Sequence, residues 1–405
     1  MTETQITRRQ AHRGGARARA FALSLLAAVL VAAACGSDSD SEPAAPAPAP
    51  AATPEPAPEP PPAPEPAPEP PAPAPEPPAP APEPPAPAPE PPPPAPEPPP
   101  PPAEPAEPVE VAYLSASSAN TWLAASKEAM ETVAAANNIE MVEFDAQFDA
   151  ALQQQQFQDV IATGQYDGII LVSLVGAGSI PDVEDALAAG IEMVFLNQVV
   201  GEDFSDVEPQ VPGVAAAVFE PPLVRGERIG QITLETCADF DPCNVVYFYG
   251  IRGIPLDEAI RQGWDSVTAG SNINVVAEAE GQYLGPDVGL AAMQDVIVST
   301  PDIHVVVGAD QSMQGAEIAL SEAGMDDVRI IGFGGSSYAV EAVQDGRWYA
   351  GLFGAPYTEG RLAMEAMVAA LAGTDTGGVD PALSVPNGGL MFQYNADDFE
   401  AEWAG

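Results

Sequence analysis

The sequence predicts an α/β protein of two lobes, each a parallel sheet flanked by helices, preceded by a disordered, proline-rich stalk. Three observations predict it. Between residues 109 and 405, strand candidates recur as near-continuous apolar runs, the pattern of a parallel sheet covered on both faces. Helical patterns alternate with these runs; Pro181 and Pro286 stand at helix starts, and Gly164, Gly190 and Gly324 just past helix ends. The rhythm lapses once, between Gly201 and Pro222, in an acidic, weakly patterned segment that reads as the end of one lobe and the crossing into another.

The first unit, residues 109–130, sets the plan. A buried strand (VEVAYLS) enters a polar loop at 116–120, and a helix begins near Thr121 with Trp122, Ala125, Ala129 and Val133 on one face. In a βαβ arrangement ligands sit in loops at the carboxyl ends of parallel strands, where Asn120 and Trp122 stand. Trp122 reads equally well as a core aromatic. Further strands are expected at 139–144, 168–172, 191–196 and 215–219, then at 244–249, 272–277, 303–308, 328–333 and 348–353. Helices are expected at 147–163, 181–189 and 311–323.

Upstream lies an expected targeting segment, residues 1–34. Arg8, Arg9, Arg13, Arg17 and Arg19 form a basic start, and residues 21–34 form an apolar stretch too short to span a bilayer comfortably. Cys35 after three alanines resembles a bacterial lipoprotein signal, in which the cysteine is acylated. An ordinary secretory signal is the alternative, and Arg8-Arg9 leaves twin-arginine export open. Two or more acyl chains would anchor the protein stably on the outer face of the cell membrane. Residues 35–108 are this cysteine and a Pro/Ala/Glu-rich stalk with APAPEPP recurring. Proline donates no backbone hydrogen bond and this composition buries almost nothing, so an extended polyproline II stalk is expected. At ~3.1 Å per residue, roughly 65 residues would reach about 200 Å. A ligand for a proline-binding module is the weaker reading.

The formal net charge is −46, and five of the 13 Lys+Arg residues belong to the targeting segment, so the remainder is more acidic still. Such a chain lacks the phosphate-neutralising contacts that nucleic acid needs. His304 is the single histidine outside the targeting segment, within the apolar run 303–307, and reads as a satisfied core histidine. Neither a multi-histidine metal site nor a calcium loop has its ligands, and no cofactor is expected. Cys237 and Cys243 bracket CADFDPC, and outside the cell two such cysteines pair, pinning a helix end to the next strand.

Several segments together resemble the type I periplasmic sugar-binding proteins, the ribose- and galactose-binding group that serves ABC importers. They are residues 109–130, FDAQFDAALQQQQFQDVIATGQYDGIILVS, FLNQ at 195–198, GIRGIPLDEAIRQGW at 250–264, GADQSMQGAEIAL at 308–320 and IIGFGGSSYAVEAVQDGRWYAGLFG. The resemblance covers nearly all of 109–405. It implies an N-terminal lobe of 109–217 and 356–389 and a C-terminal lobe of 218–355 and 390–405, with three crossings and closure about hinges.

By the same resemblance Trp122 and Tyr283 would pack on a sugar ring, with Asn120, Asn197, Gln198, Arg252, Glu258 and Asp310 as polar ligand-binding positions. Asn197 replaces a usual Asp, Gln198 a usual Arg, Glu258 an Arg and Asp310 an Asn. The FDG signature reads Phe333-Gly334-Gly335, without its carboxylate. Arg252 could instead pair with Glu258 or Asp257. The resemblance therefore implies an extracytoplasmic solute-binding lipoprotein, a monomer that carries a sugar-like small molecule to an ABC permease. A sensor presenting its ligand to a membrane receptor or kinase is the alternative. Catalysis is not expected: Ser336 and Ser337 lack a G-x-S-x-G setting, and the glycines near them lack dinucleotide spacing.

Overall fold

The structure, a computed structural model, describes residues 108–405. The expected targeting segment, Cys35 and the stalk up to residue 107 lie outside the described residues.

The first half of the described chain runs β1 (Val109–Ser115), α1 (Thr121–Ala136), β2 (Ile139–Asp145), α2 (Ala150–Thr163), β3 (Gly168–Leu171), α3 (Ile180–Ala188), β4 (Glu192–Leu196) and β5 (Ala216–Val218). There follow α4 (Pro222–Thr236), β6 (Cys243–Tyr249), α5 (Pro255–Thr268), β7 (Ile273–Glu280), α6 (Pro286–Ser299), β8 (Val305–Ala309) and α7 (Asp310–Glu322). The chain continues through β9 (Arg329–Gly334), α8 (Ser337–Gln344), β10 (Ala350–Phe353), α9 (Pro356–Leu371), β11 (Gly377–Val379) and β12 (Leu390–Phe392). Local chemistry sets the boundaries. Asp149 caps α2 by accepting from the amides of Ala151 and Leu152. Proline opens α4, α5, α6 and α9, where its missing N–H costs nothing.

The strands form two six-stranded sheets, ordered β11-β5-β4-β3-β1-β2 and β12-β10-β9-β8-β6-β7. Every pairing is parallel except β10 with β12. In each sheet the order reverses beside the first strand, between β1 and β3 and between β6 and β8. Loops leaving the strands at such a switch point frame a crevice.

Each sheet is covered on both faces. Tyr113, Ile170 and Val194 pack with Met130, Met364 and Met367 from α1 and α9; the opposite face buries Phe157 and Phe195. In the second sheet Phe248 and Val306 pack with Met293 and Met313, and Trp264 lies under the other face. Truncating such an aromatic to alanine costs about 3–5 kcal/mol. Among the described residues no helix is long and apolar enough to cross a membrane.

The structure alters several local expectations. The most buried residues of α1 are Leu123, Ser126, Ala129, Met130 and Ala134, and Trp122 and Val133 pack half-buried against the same core. Helix α9 approaches α1 closely: a Cβ at Gly360 would lie 2.0 Å from the Ser126 carbonyl oxygen, so small residues face each other. Trp122 packs against this core and also reaches the crevice. The crossing into the second sheet falls at the end of the 201–222 segment, between β5 and α4; before it, Val207, Val211 and Val214 pack into the core beside β4 and β5. The side chain of Gln210 braces that segment by accepting from the amides of Glu202 and Asp203. The short edge strands β11 and β12 carry too few apolar residues to announce themselves.

Cys237 at the end of α4 is bonded to Cys243, the first residue of β6. His304 accepts the Asn244 amide at Nδ1 and stacks on Phe240 with centroids 4.4 Å apart.

Candidate functional site

The loops leaving β1, β3, β4, β6, β7, β8 and β9 converge on one cavity of about 60 Å³ between the two sheets. Asn120, Trp122, Asn197, Gln198 and Tyr283 all line it. Arg225, Asp257, Gln311, Phe333 and Trp403 complete much of the wall.

Each predicted lining residue is held by its own backbone setting. Asn120 caps α1 through Oδ1, which accepts the Leu123 amide at 2.9 Å. Its Nδ2 donates across the crevice to the Tyr283 carbonyl at 3.0 Å, so the two lobes meet directly. Asn197 has φ +64°, a left-handed conformation that asparagine tolerates well at a tight turn after β4. Its Nδ2 lies 3.3 Å from both carboxylate oxygens of Glu359, and its Oδ1 accepts from Gln198 at 3.4 Å. The Tyr283 hydroxyl donates to Asp257 at 2.6 Å, and Asp257 also accepts the amides of Gly250 and Ile251. A Cβ at position 250 would lie 2.1 Å from the Tyr283 ring, so glycine is required there.

The electrostatics centre on groups that the sequence reading did not single out. Arg225, on the first turn of α4, sits over the Trp122 ring at 5.2 Å and the Phe333 ring at 5.7 Å. Its side chain is 13% exposed, its Nε makes no hydrogen bond, and the nearest carboxylate oxygen, on Glu220, is 3.9 Å away. Glu220 bonds Arg228 instead, at 2.5 Å. Buried carboxyls surround this cation. Burial pushes Glu359 up to about 7 against the hydrogen bonds it accepts from Trp122 and Asn197. Burial likewise pushes Asp257 up to about 6, opposed by the bonds from Tyr283 and the two amides. Scarcity could have pointed to Arg225, as one of few cations outside the targeting segment. Glu359 and Trp403 carried no signal, because neither the first turn of α9 nor the segment after β12 shows a motif.

Three predicted site residues are not brought to the cavity lining. Arg252 reaches away from the crevice, pairs with Glu278 at 3.2 Å and lies over Tyr249, rather than pairing with Glu258 or Asp257. Glu258 folds back on its own loop and accepts the Gly253 amide at 2.9 Å. Asp310 is fully buried behind the wall, where Oδ2 accepts the Ser336 amide at 2.7 Å and Oδ1 has no hydrogen-bond partner. Burial holds its carboxyl up near 6. The turn at Gly334-Gly335 wraps this carboxylate.

The groups facing the cavity are aromatic rings and aliphatic side chains, carboxamides, a phenol, the Asp257 carboxyl and a guanidinium. They offer flat apolar faces beside planar hydrogen-bonding groups, a set suited to holding a molecule. Among the described residues, no cluster of three or more His, Cys, Asp or Glu side chains is placed to hold a metal ion.

Comparison with known proteins agrees with this architecture. The family described as periplasmic binding protein domain matches residues 111–375. A xylitol-binding protein of Mycolicibacterium smegmatis is 29% identical over 230 residues, 56% of this chain and 62% of that protein. The ribose import binding protein RbsB of Bacillus subtilis is 24% identical over 256 residues, 61% of this chain and 76% of that one. The chain thus spans less than two thirds of the first of these relatives. Among solved structures, an ABC transporter solute-binding protein from Mycobacterium smegmatis with bound glycerol superposes with a TM-score of 0.62 at 25% identity, covering 74% of this chain and 99% of that one. A solute-binding protein from Bacillus halodurans with bound myo-inositol gives 0.62 at 21% identity, covering 73% and 97%.

Proposed function

This chain belongs to the periplasmic binding protein domain family, and from that premise we propose that it is the extracytoplasmic solute-binding lipoprotein of an ABC importer. It binds a sugar or sugar-like small molecule between its lobes and presents it to a membrane permease, without catalysing a reaction. Cys35 is its acylation site and the proline-rich stretch its spacer from the membrane. The two lobes comprise 109–217 with 356–389, and 218–355 with 390–405.

One observation carries the reading. A cavity at the carboxyl ends of both sheets combines indole, phenol and phenyl faces with Asn120, Asn197, Gln198 and Arg225. Aromatic faces match the C–H faces of a polyhydroxylated molecule, and carboxamides and guanidinium match its hydroxyls. A single lining cation among buried carboxyls favours a neutral ligand over an anionic one.

A thermal-shift screen tests the reading. The purified chain is melted against pentoses, hexoses, polyols, cyclitols and sugar acids. A ligand at 100 times its dissociation constant adds about 2.7 kcal/mol of stability. A neutral sugar or polyol is expected to raise the melting temperature, whereas failure of that whole class would remove the sugar-like assignment.

A further inference from the structure

The segment after β12 returns to the cavity. Phe399 packs on Phe353 with ring centroids 5.1 Å apart, where β10 leaves the second sheet. Glu402 then reaches the start of α9: its carboxylate accepts the Thr358 amide at 2.8 Å and the Thr358 hydroxyl at 2.5 Å. A backbone amide in the first turn of a helix is a donor lacking an intrahelical partner, and α9 has no side-chain cap of its own. Trp403 follows, with only 7% of its surface exposed. Its Nε1 donates to the Gly334 carbonyl at 3.0 Å and its own carbonyl accepts the Ser337 amide at 2.9 Å. The residue is thus tied to the segment after β9 through both its ring nitrogen and its backbone.

Its free edge faces the cavity. Trp403 lines it and meets Trp122 edge-on, with centroids 5.6 Å apart and planes at 70°. The two indoles form a corner, one from each side of the crevice. Gly334 explains why no other side chain occupies that wall: a Cβ there would lie 2.8 Å from the Trp403 ring and 3.0 Å from Asp310. Gly334 also has φ +149°, which other residues rarely adopt. The indole occupies space that a side chain from the β9 turn could otherwise enter.

From this placement we infer that Trp403 is a specificity-determining residue of the ligand site, supplying an uncharged aromatic wall that accepts the carbon face of a small neutral polyol and excludes bulkier rings. The inference rests on the sugar-like reading proposed above. Corner packing of two rigid rings sets shape, and a well-packed wall discriminates by size. The cavity of about 60 Å³ has room for only a few waters, each needing about 10–15 Å³. Glu402 holds the segment in register by tying it to α9.

The test is calorimetric titration of the wild-type chain, Trp403→Ala and Trp403→Phe with glycerol, xylitol, ribose, glucose and myo-inositol. The wild type is expected to prefer the open-chain polyols. Trp403→Ala is expected to weaken the preferred compound at least tenfold and to move the order of affinities towards the ring compounds. Trp403→Phe retains an aromatic face and is expected to keep the wild-type order. Folded Trp403→Ala with the wild-type order and affinities within twofold would overturn the inference while leaving the sugar-like reading intact. If Trp403→Ala does not fold, Trp403→Leu decides, because it keeps apolar bulk without the ring edge; an unchanged order there also overturns it. Wild-type chain that binds none of the five removes the sugar-like reading itself, and this inference with it.

Discussion

The indole N–H of Trp122 donates to the carboxylate of Glu359 at 2.8 Å, joining the first turn of α1 to the first turn of α9 beneath the cavity. Glu359 is 2% exposed and also meets the Asn197 carboxamide, so one carboxylate orients two lining residues. Glu359→Ala leaves both donors without an acceptor. A buried polar group left unpaired costs about 1–3 kcal/mol. We expect that loss in chemical denaturation, together with weaker binding of any compound that the thermal-shift screen identifies.

The same carboxylate gives a pH signature. Glu359 at about 7, Asp257 at about 6 and Asp310 at about 6 all keep their protons to higher pH in the folded chain than when unfolded. A raised carboxyl contributes its full stability below its unfolded value, and that contribution is lost as pH rises through the folded value. Asp145 and Glu278 are lowered, so their contributions fade only as pH falls through their folded values. Between about pH 5 and 7.5 the raised group dominates, and the melting temperature is expected to fall as pH rises. Glu359→Gln is expected to flatten the upper part of that fall. A wild-type profile that rises across this window would contradict the assignment.

The alternation of apolar runs with capped helices carried most of the architecture, because a sheet covered on both faces needs continuous apolar strands. It could not carry β11 and β12, whose three residues each pair at sheet edges. Asn120 and Trp122 were legible from the strand end before them, and Asn197, Gln198 and Tyr283 from the family resemblance. Arg252 and Glu258 were misplaced for a physical reason: a long side chain on a loop follows its local partners, here Glu278 and the Gly253 amide. Arg225, Glu359 and Trp403 come from helix starts and from far along the chain, where only the folded chain brings them together.

Arg225 and Arg252 form a matched contrast. Arg225 faces the cavity from between two rings, and Glu220 retains Arg228 when it is removed. Arg225→Ala is expected to reduce affinity for a compound that the thermal-shift screen identifies more than tenfold. Arg252 is 42% exposed and paired outside the cavity. Arg252→Ala is expected to change affinity less than twofold and stability by about 0–1 kcal/mol, the range for surface pairs. Titration of the two variants side by side checks both statements.

The Cys237–Cys243 bond closes a short loop between α4 and β6, with both residues fully buried. In the chain-entropy model so short a loop contributes roughly 2 kcal/mol. The double variant Cys237→Ala/Cys243→Ala is expected to lose about that much in urea denaturation while keeping its ligand affinity. Equal stability of the variant and wild type would show that the bond contributes nothing measurable.

Asp310 separates support of the site from contact with a ligand. Its carboxylate holds the Ser336 amide at 2.7 Å, and Gly332 and Gly334 close around it. Alanine there removes the acceptor and leaves a buried amide unpaired, at about 1–3 kcal/mol. It also frees the turn that carries the Gly334 carbonyl, to which Trp403 is bonded at 3.0 Å. Asparagine supplies the same acceptor without the charge. Asp310→Ala is therefore expected to lower both stability and affinity. Asp310→Asn is expected to retain binding at neutral pH and to lose part of the pH dependence between about 5 and 7. Loss of binding in Asp310→Asn with the fold intact would instead give the carboxylate a direct part in holding the ligand.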